Sequence, residues 1–561
     1  MYQPFNQGED HINPHWDDVL RFDRSTGAGP SREPASFLQD PNLTASFYDD
    51  VNEDERTPLL RKIISPSRKN VKRWTQSMWR RILVLNVLPV LIVVAWCAVP
   101  IPFDDAVTPP PPNGTIPNDT ISNNAITASP SYNTATLYGA SWPDLQDRHN
   151  TSSFSITNDT FSILRLPSNT NSDPVEINFW FFLFFYFGIY NAIALLLITK
   201  IFSIYALNWW PKALGGIWTY CIFWMLSQGA GACIYFTDLK SETLTWVFLT
   251  FITMAMPLLV AFTIIRSQNR NVYRNSLTEA QKIFLQTQER RAPASYVRFL
   301  WFCTALFIAL FALVAGEGYA YLFLATLPHG PIDALVYVYS WVGVIYLLDA
   351  ATEYIIENKI RSYPLASAFK LYFFMIYFIF YRNLFARLRS IDQFALVQLA
   401  SSLWVCFFYP LTMTSTWHWL MSMCFGTAQP LDEYRRKIGR SFYIRNLAEN
   451  TTMIGFLLWV NILHFGPNAS AYPYFQFDDV NTDKNPYTLQ LTFLASLVVW
   501  VSELISAFVT RQIFKCGFNH SVTEEAVKDY ERYPEMIVVF VLVSVHIMQD
   551  MLLALLKLTF Q

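Results

Sequence analysis

Between residues 177 and 561 the sequence is a succession of uninterrupted apolar segments, and a further one covers residues 82–101. Each is close to the 17 to 25 residues that a helix needs to cross about 30 Å of hydrocarbon. The segments are continuously apolar rather than alternating, which favours helices over a β-barrel. Only 15% of the residues are charged, against about 25% in an average soluble protein. We therefore predict an all-α, polytopic transmembrane helical bundle.

The prediction is about eleven spans, with a range of nine to eleven. They lie near residues 82–101, 177–199, 213–236, 244–265, 299–326, 331–350, 366–383, 392–423, 451–466, 488–510 and 536–559. The corresponding domains are a tail at 1–81, the first helix at 82–103, a polar loop at 104–176 and a multi-span domain at 177–561.

Residues 1–81 are polar and lack a sustained apolar period, so we expect a disordered tail. Its last part is strongly basic, with no acid between Thr57 and Arg81. Because basic residues that flank a span are retained in the cytosol, the N-terminus is predicted to be cytosolic. The basic loops 266–298 and 424–450 fall on the same side in the eleven-span arrangement.

One group of charges conflicts with this arrangement. Arg382, at the end of the seventh segment, and Arg387 and Arg389, just after it, fall where the eleven-span arrangement requires the lumenal side. A re-entrant seventh segment would remove the conflict and place the C-terminus in the cytosol. The sequence leaves both alternatives open.

The loop 104–176 is dominated by Asn, Thr, Ser and Pro, a composition that cannot bury a dependable core. It contains four N-glycosylation sequons, and a fifth falls on the same predicted lumenal side near residue 468. A glycan-coated loop suits a compartment that contains proteases, and a simple spacer is equally compatible. The predicted acceptors are Asn113, Asn118, Asn150, Asn158 and Asn468.

A short motif in the tail predicts the cellular location of the protein. Glu55, followed after three residues by Leu59 and Leu60, resembles the acidic dileucine signals that clathrin adaptors read on proteins bound for lysosomes or vacuoles. This resemblance implies a lysosomal or vacuolar membrane and an adaptor as a partner. The alternative is a chance match to a short pattern.

Ionisable residues inside the spans are the main candidates for function. Such a residue costs about 3 kcal/mol in hydrocarbon on insertion scales, so it is expected to face the bundle interior or an aqueous cavity. Five residues are predicted to relay protons or cations: Glu317, Asp349, Glu503, His546 and Asp550.

Local sequence suggests how these candidates act. Glu317 stands between two glycines, which favours either a broken helix that exposes backbone groups or a helix end that meets water. Asp349 shares one helical face with Glu353 and Glu357, so this acidic row needs water, protons, a cation or basic partners. His546 and Asp550 are four residues apart and can meet on one face.

The motifs of common enzymes are not found: the sequence contains no G-x-S-x-G, no phosphate-binding loop and no H-E-x-x-H. No catalytic residue, metal or cofactor is therefore predicted. The net charge of −2 argues against a nucleic-acid partner.

The leading hypothesis is a proton-coupled transporter of a small solute or ion. The alternative from another class is a non-transporting scaffold or receptor that recruits cytosolic partners through its tail and loops. A lipid-modifying membrane enzyme with an unfamiliar site is a third, less favoured reading.

Overall fold

A computed structural model describes residues 66–102, 177–204, 217–275, 294–325, 331–360, 362–385, 391–425, 430–475, 477, 489–558 and 560. Apart from an isolated bridge between Ile177 and Phe560, these described residues are helical or irregular. The predicted all-α class is therefore confirmed for this part of the chain.

We number the helices in chain order. They are α1 Arg68–Gln76, α2 Met78–Ala98, α3 Phe179–Phe202, α4 Ile217–Ile234, α5 Thr243–Asn275, α6 Ala294–Ala325, α7 Pro331–Ile355, α8 Tyr363–Phe385, α9 Ala395–Thr412, α10 Ser415–Phe425, α11 Leu431–Phe465, α12 Leu489–Phe518, α13 Val522–Arg532 and α14 Glu535–Leu555.

Among the described residues, nine helices are long and apolar enough to cross a membrane: α2, α3, α5, α6, α7, α8, α9, α12 and α14. This count lies within the predicted range of nine to eleven. Two predicted spans lie in helices outside the nine: α4, which has 18 residues, and α11, whose first half is rich in charge. The chain is thus compatible with an integral multi-pass membrane protein, and the exact number of spans stays a prediction.

Helices α8 and α14 form the centre of the bundle. Within them 83% and 89% of the apolar window is buried by other helices, against 28% to 39% for α2, α5, α6, α7, α9 and α12. The outer helices expose large apolar side chains such as Phe307 and Phe508. Side chains of this kind suit contact with lipid, because lipid chains are as apolar as the residues themselves.

One end of the bundle, here called the α13 end, is built from charged and amphipathic segments. Helix α13 packs against α1 and α11 with one apolar face, and Tyr530 on this face is 1% exposed. Next to Tyr530, Asp529 pairs with Arg440 of α11 at 3.0 Å. Helix α1 and the start of α11 therefore lie at the same end of the bundle, together with the end of α12 and the start of α14.

The opposite end, here called the Asn468 end, is organised by a buried asparagine. The side chain of Asn468 is 1% exposed, and its amide nitrogen donates to the carbonyl oxygens of Cys97 and Val99 at 2.8 Å and 2.7 Å. Its oxygen accepts a hydrogen bond from the Ile101 amide at 2.8 Å. These bonds satisfy backbone groups left over at the end of α2. A glycan on the Asn468 nitrogen would replace one of its two N–H donors and would need space at a buried position, so the geometry disfavours a glycan here, and the predicted modification stays untested.

Candidate functional site

Three helices bring two acids together inside the bundle. Glu317 of α6 and Asp550 of α14 place their carboxyl groups within hydrogen-bonding distance of each other. Tyr190 of α3 donates its hydroxyl proton to the other oxygen of Asp550. Tyr190 and Asp550 are 0% and 1% exposed. We call Glu317 and Asp550 the carboxyl pair.

The carboxyl pair is not neutralised by a basic side chain of the described residues. One oxygen of each acid, Oε1 of Glu317 and Oδ2 of Asp550, is buried and receives no hydrogen bond from a described donor. Two carboxylates at this separation repel each other, and burial makes the repulsion stronger. The arrangement is therefore suited to hold a proton or a cation between the two groups.

His546 lies one helical turn before Asp550 on α14. Its ring stacks on the Tyr190 ring, with 5.2 Å between the ring centres and an angle of 13° between the planes. The imidazole is 1% exposed, and its Nδ1 has no described hydrogen-bond partner. Tyr190 thus contacts both His546 and Asp550 and links the two residues that the sequence predicted to meet on one face.

A small cavity of about 30 Å³ lies between α3, α5, α6, α8 and α14, and its lining reaches His546, one helical turn before Asp550. Its lining is largely apolar and includes Ala309, Ala368 and Phe369. His546 and Tyr372 contribute the polar part of the lining. Since a cavity of roughly 10–15 Å³ already holds one water, this one has room for about two.

The cavity lies between the carboxyl pair and the α13 end. On α14 the chain passes from Glu535 to the cavity residues Val543 and His546, and then to Asp550. Helix α3 runs the opposite way, from Tyr190 to Leu197 and then to Lys200, which pairs with Glu535 at 4.0 Å.

The residues of helix α6 follow the same order, starting from the α13 end. Its early residue Phe302 contacts Phe202 of α3, with 4.8 Å between the ring centres, so α6 starts at the α13 end. Cavity residues Leu306 and Ala309 follow, and Glu317 comes two turns later. In all three helices, therefore, the cavity residues lie closer to the α13 end than the residues of the carboxyl pair and Tyr190 do.

Glu503, another predicted relay residue, lies in a separate ion pair. Its carboxylate contacts the guanidinium of Arg382 in α8 at 2.5 Å, and both side chains are buried. The charge pattern groups Arg382 with the loop arginines, but Arg382 lies inside the bundle and balances the buried acid Glu503. The conflict that it caused therefore disappears for this residue, while Arg387 and Arg389 lie outside the described residues.

Asp349 has basic partners, which was one of the alternatives that the sequence left open. Lys370 of α8 contacts Asp349 at 3.2 Å and Glu353 at 3.0 Å. Lys437 of α11 continues the row, with contacts to Glu353 at 3.2 Å and to Glu357 at 2.8 Å. This alternation of charge joins α7, α8 and α11 and leaves Asp349 apart from the carboxyl pair.

Sequence reasoning missed Tyr190, Tyr372 and the partner of Glu503. Tyr190 is one of 29 tyrosines, and nothing in its neighbourhood marks it as a partner of Asp550. Arg382 did carry a signal, because it falls inside the apolar segment 366–383 and an acid stands inside the segment 488–510.

Several predicted sites lie outside the described residues: the sorting signal of Glu55, Leu59 and Leu60, and the sequons of Asn113, Asn118, Asn150 and Asn158. Within the part of the chain that the structure describes, no group of three His, Cys, Asp or Glu residues is placed to hold a metal ion.

Comparison with known proteins gives one family and one relative. The model of the SPCC553.12c family matches residues 67–556, which include every described helix. The Schizosaccharomyces pombe protein "Uncharacterized protein C553.12c" is 40% identical over 397 residues, which are 69% of this chain and 75% of the relative. No solved structure matches. The chain therefore belongs to the SPCC553.12c family.

Proposed function

We propose that this protein is a proton-coupled transporter of a small solute or ion, with the carboxyl pair as its proton carrier. The observation that carries the proposal is the approach of Glu317 and Asp550 inside the bundle without a basic side chain among the described residues to balance them. A purely structural acid would be expected to have a partner such as the one Arg382 gives to Glu503.

The carboxyl pair holds a proton between its two acids. It releases the proton when a cation replaces it or when a conformational change separates the acids. Tyr190 holds one Asp550 oxygen in position, and His546 offers a second proton-accepting group beside the cavity. Proton transfer along such a row of carboxyl, hydroxyl and imidazole groups is typical of membrane transporters. Glu503 and Asp349, which have basic partners, take structural roles in this proposal.

The proposed location is the lysosomal or vacuolar membrane, with a cytosolic N-terminus. It is supported by the dileucine pattern, the basic segment before α2 and the sequons of the loop 104–176. A fluorescent fusion in which Leu59 and Leu60 are both changed to Ala should leave the organelle membrane. A location identical to that of the wild type would remove the adaptor from the proposal.

Transport can be tested with purified full-length protein in vesicles that have an acidic interior. The vesicles are incubated with a deproteinised cell extract, and mass spectrometry identifies solutes whose accumulation depends on the pH gradient. We expect Glu317→Gln and Asp550→Asn to reduce this accumulation at least tenfold. Asp238→Asn is the matched control, because it removes an exposed carboxylate from the turn between α4 and α5.

Two results would overturn the proposal. One is a wild-type protein that accumulates no solute from the extract in response to the gradient. The other is a Glu317→Gln/Asp550→Asn double variant that accumulates the same solutes at the same rate as the wild type.

A further inference from the structure

The unpartnered polar atoms of the carboxyl pair and of His546 are hydrogen-bond acceptors, and His546 connects them to the cavity, which it lines. They are Oε1 of Glu317, Oδ2 of Asp550 and, in a neutral ring that carries its proton on Nε2, Nδ1 of His546. His546 and Asp550 are each 1% exposed, and Glu317 is half-buried with its Oε1 covered, so these three acceptor atoms are not solvated. An anionic solute would meet like charge here, whereas a cation would satisfy the acceptors.

The cavity wall next to these acceptors is apolar and aromatic. Ala309 of α6 and Ala368 of α8 are small side chains in the wall, and the rings of Phe369 and Tyr372 complete it on the side of α8. Apolar walls with a few convergent polar groups are typical of small-molecule sites. Aromatic faces also attract cations, and most strongly when both partners are away from water.

We infer that the transported solute is an organic cation with an apolar body, such as an ammonium with hydrocarbon substituents. This inference rests on the proposed function and specifies the class of its substrate. The charged group occupies the place of the proton at the carboxyl pair, and the apolar body lies against Ala309, Ala368 and Phe369. The cavity has room for only about two waters. The helices around it must therefore separate before the solute can enter.

Binding can be measured without transport, through the thermal unfolding of the purified full-length protein in detergent. The probes are benzyltrimethylammonium, which has charge and an apolar body, tetramethylammonium, which has the charge alone, and benzyl alcohol, which has the body alone. A ligand that binds the folded state raises Tm in a concentration-dependent manner. We expect benzyltrimethylammonium to bind at least tenfold more tightly than either of the other two probes.

Variants connect this binding to the site. Asp550→Asn and Glu317→Gln should remove the rise in Tm, because they remove the carboxylate charge with which the ammonium pairs. Ala309→Phe should also remove it, because the new ring fills the cavity, and Ala309→Leu provides a smaller filling variant if the larger one does not fold. The matched control is Thr304→Phe, which adds the same ring to an exposed position of the same helix.

Each outcome bears on the inference. Equal protection by benzyl alcohol would overturn it in favour of a neutral solute, and protection that survives both Asp550→Asn and Ala309→Phe would place the binding elsewhere. If benzyltrimethylammonium gives no protection while gradient-driven uptake of another solute still depends on Glu317 and Asp550, this inference fails and the proposed function stands. If the probe binds as expected and no gradient-driven uptake occurs, the proposed function fails instead.

Discussion

At the scale of residues, Glu503 and Asp550 are similarly buried acids, with 4% and 1% exposure, and their surroundings differ. Glu503 faces the guanidinium of Arg382, so its charge is balanced by a fixed partner. Asp550 faces a second acid and a tyrosine hydroxyl, and no basic side chain of the described residues balances its charge. This contrast is the reason for placing function at one acid and structure at the other.

The Arg382–Glu503 pair allows a direct test of the structural role. Arg382→Met alone should lower the free energy of unfolding by about 3–5 kcal/mol, because it leaves Glu503 buried without its partner. The double variant Arg382→Met/Glu503→Met should recover most of this loss, since it removes both charges. Thermal unfolding of the purified variants measures the effect, and a double variant as unstable as the single one would contradict the pairing.

Asn468 gives a second prediction at this scale. Because its amide nitrogen already donates to Cys97 and Val99, we expect no glycan at this position in the folded protein. Ser470→Ala, which destroys the sequon and keeps Asn468, should leave the electrophoretic mobility unchanged. Asn468→Ala should lower stability by about 1–3 kcal/mol, the cost of leaving buried backbone groups unpaired. A glycosidase-sensitive shift that Ser470→Ala abolishes would show that this reasoning is wrong.

At the scale of elements, the start of helix α13 is positioned by a close contact with α11. It follows Asn519, which has a left-handed backbone with φ of 50°, and His520, which packs against α11 beside Gly439. A Cβ at position 439 would collide with the His520 ring, so glycine is needed for this approach. Gly439 and the imidazole of His520 thus fix the approach of the chain to α11 just before α13, in addition to the Arg440–Asp529 pair.

The pH dependence of this contact follows from His520. Burial lowers the pKa of His520 below its usual value of 6.5, and the nearby Arg436, Arg440 and Arg435 act in the same direction, while Glu525 acts against them. The unfolded chain then binds a proton more readily than the folded protein. The stability contributed by neutral His520 is therefore present above about pH 6.5 and is lost as the pH falls below that value.

We expect a fall in pH below about 6.5 to lower the Tm of the wild type and to lower the Tm of His520→Gln by a smaller amount. Burial raises the pKa of Asp529, which is a contribution of the opposite sign. Because both proteins retain Asp529, the difference between their two profiles reports His520. Parallel pH profiles of Tm in the two proteins would contradict the assignment.

At the scale of the whole molecule, the two ends of the bundle should lie on opposite sides of the membrane. Cys516 is exposed near the end of α12 and belongs to the α13 end. The turn that contains Asp238 belongs to the Asn468 end, because the neighbouring Tyr235 contacts Phe179 at the start of α3.

A membrane-impermeant maleimide tests this arrangement in sealed organelles. We expect it to label Cys516 from the cytosolic side, and to label an Asp238→Cys variant only after permeabilisation, with peptide mass spectrometry as the readout. Labelling of both positions from one side would contradict the arrangement of the ends.

The sequence by itself determined the helical class, because long apolar segments can satisfy their backbone groups in a membrane only as helices. It did not reveal the centre of the bundle. Helix α8 has a mean hydropathy of 1.4, among the lowest of the nine, and yet 83% of its window is buried, while the outer α6, at 2.4, is 39% buried. Hydropathy measures the preference for leaving water, and it does not distinguish a lipid neighbour from a protein neighbour.

The tertiary structure alone decided which candidates act together. The spacing of His546 and Asp550 placed them on one helix face, but Glu317 and Tyr190 are 233 and 360 residues away in sequence from Asp550. Likewise, Glu503 and Asp349 looked equivalent to Glu317 until Arg382 and Lys370 were found beside them. Local sequence sets the free-energy cost of placing a charged side chain in an apolar segment. Whether that charge is neutralised depends on side chains from distant helices, and only the tertiary packing brings these close.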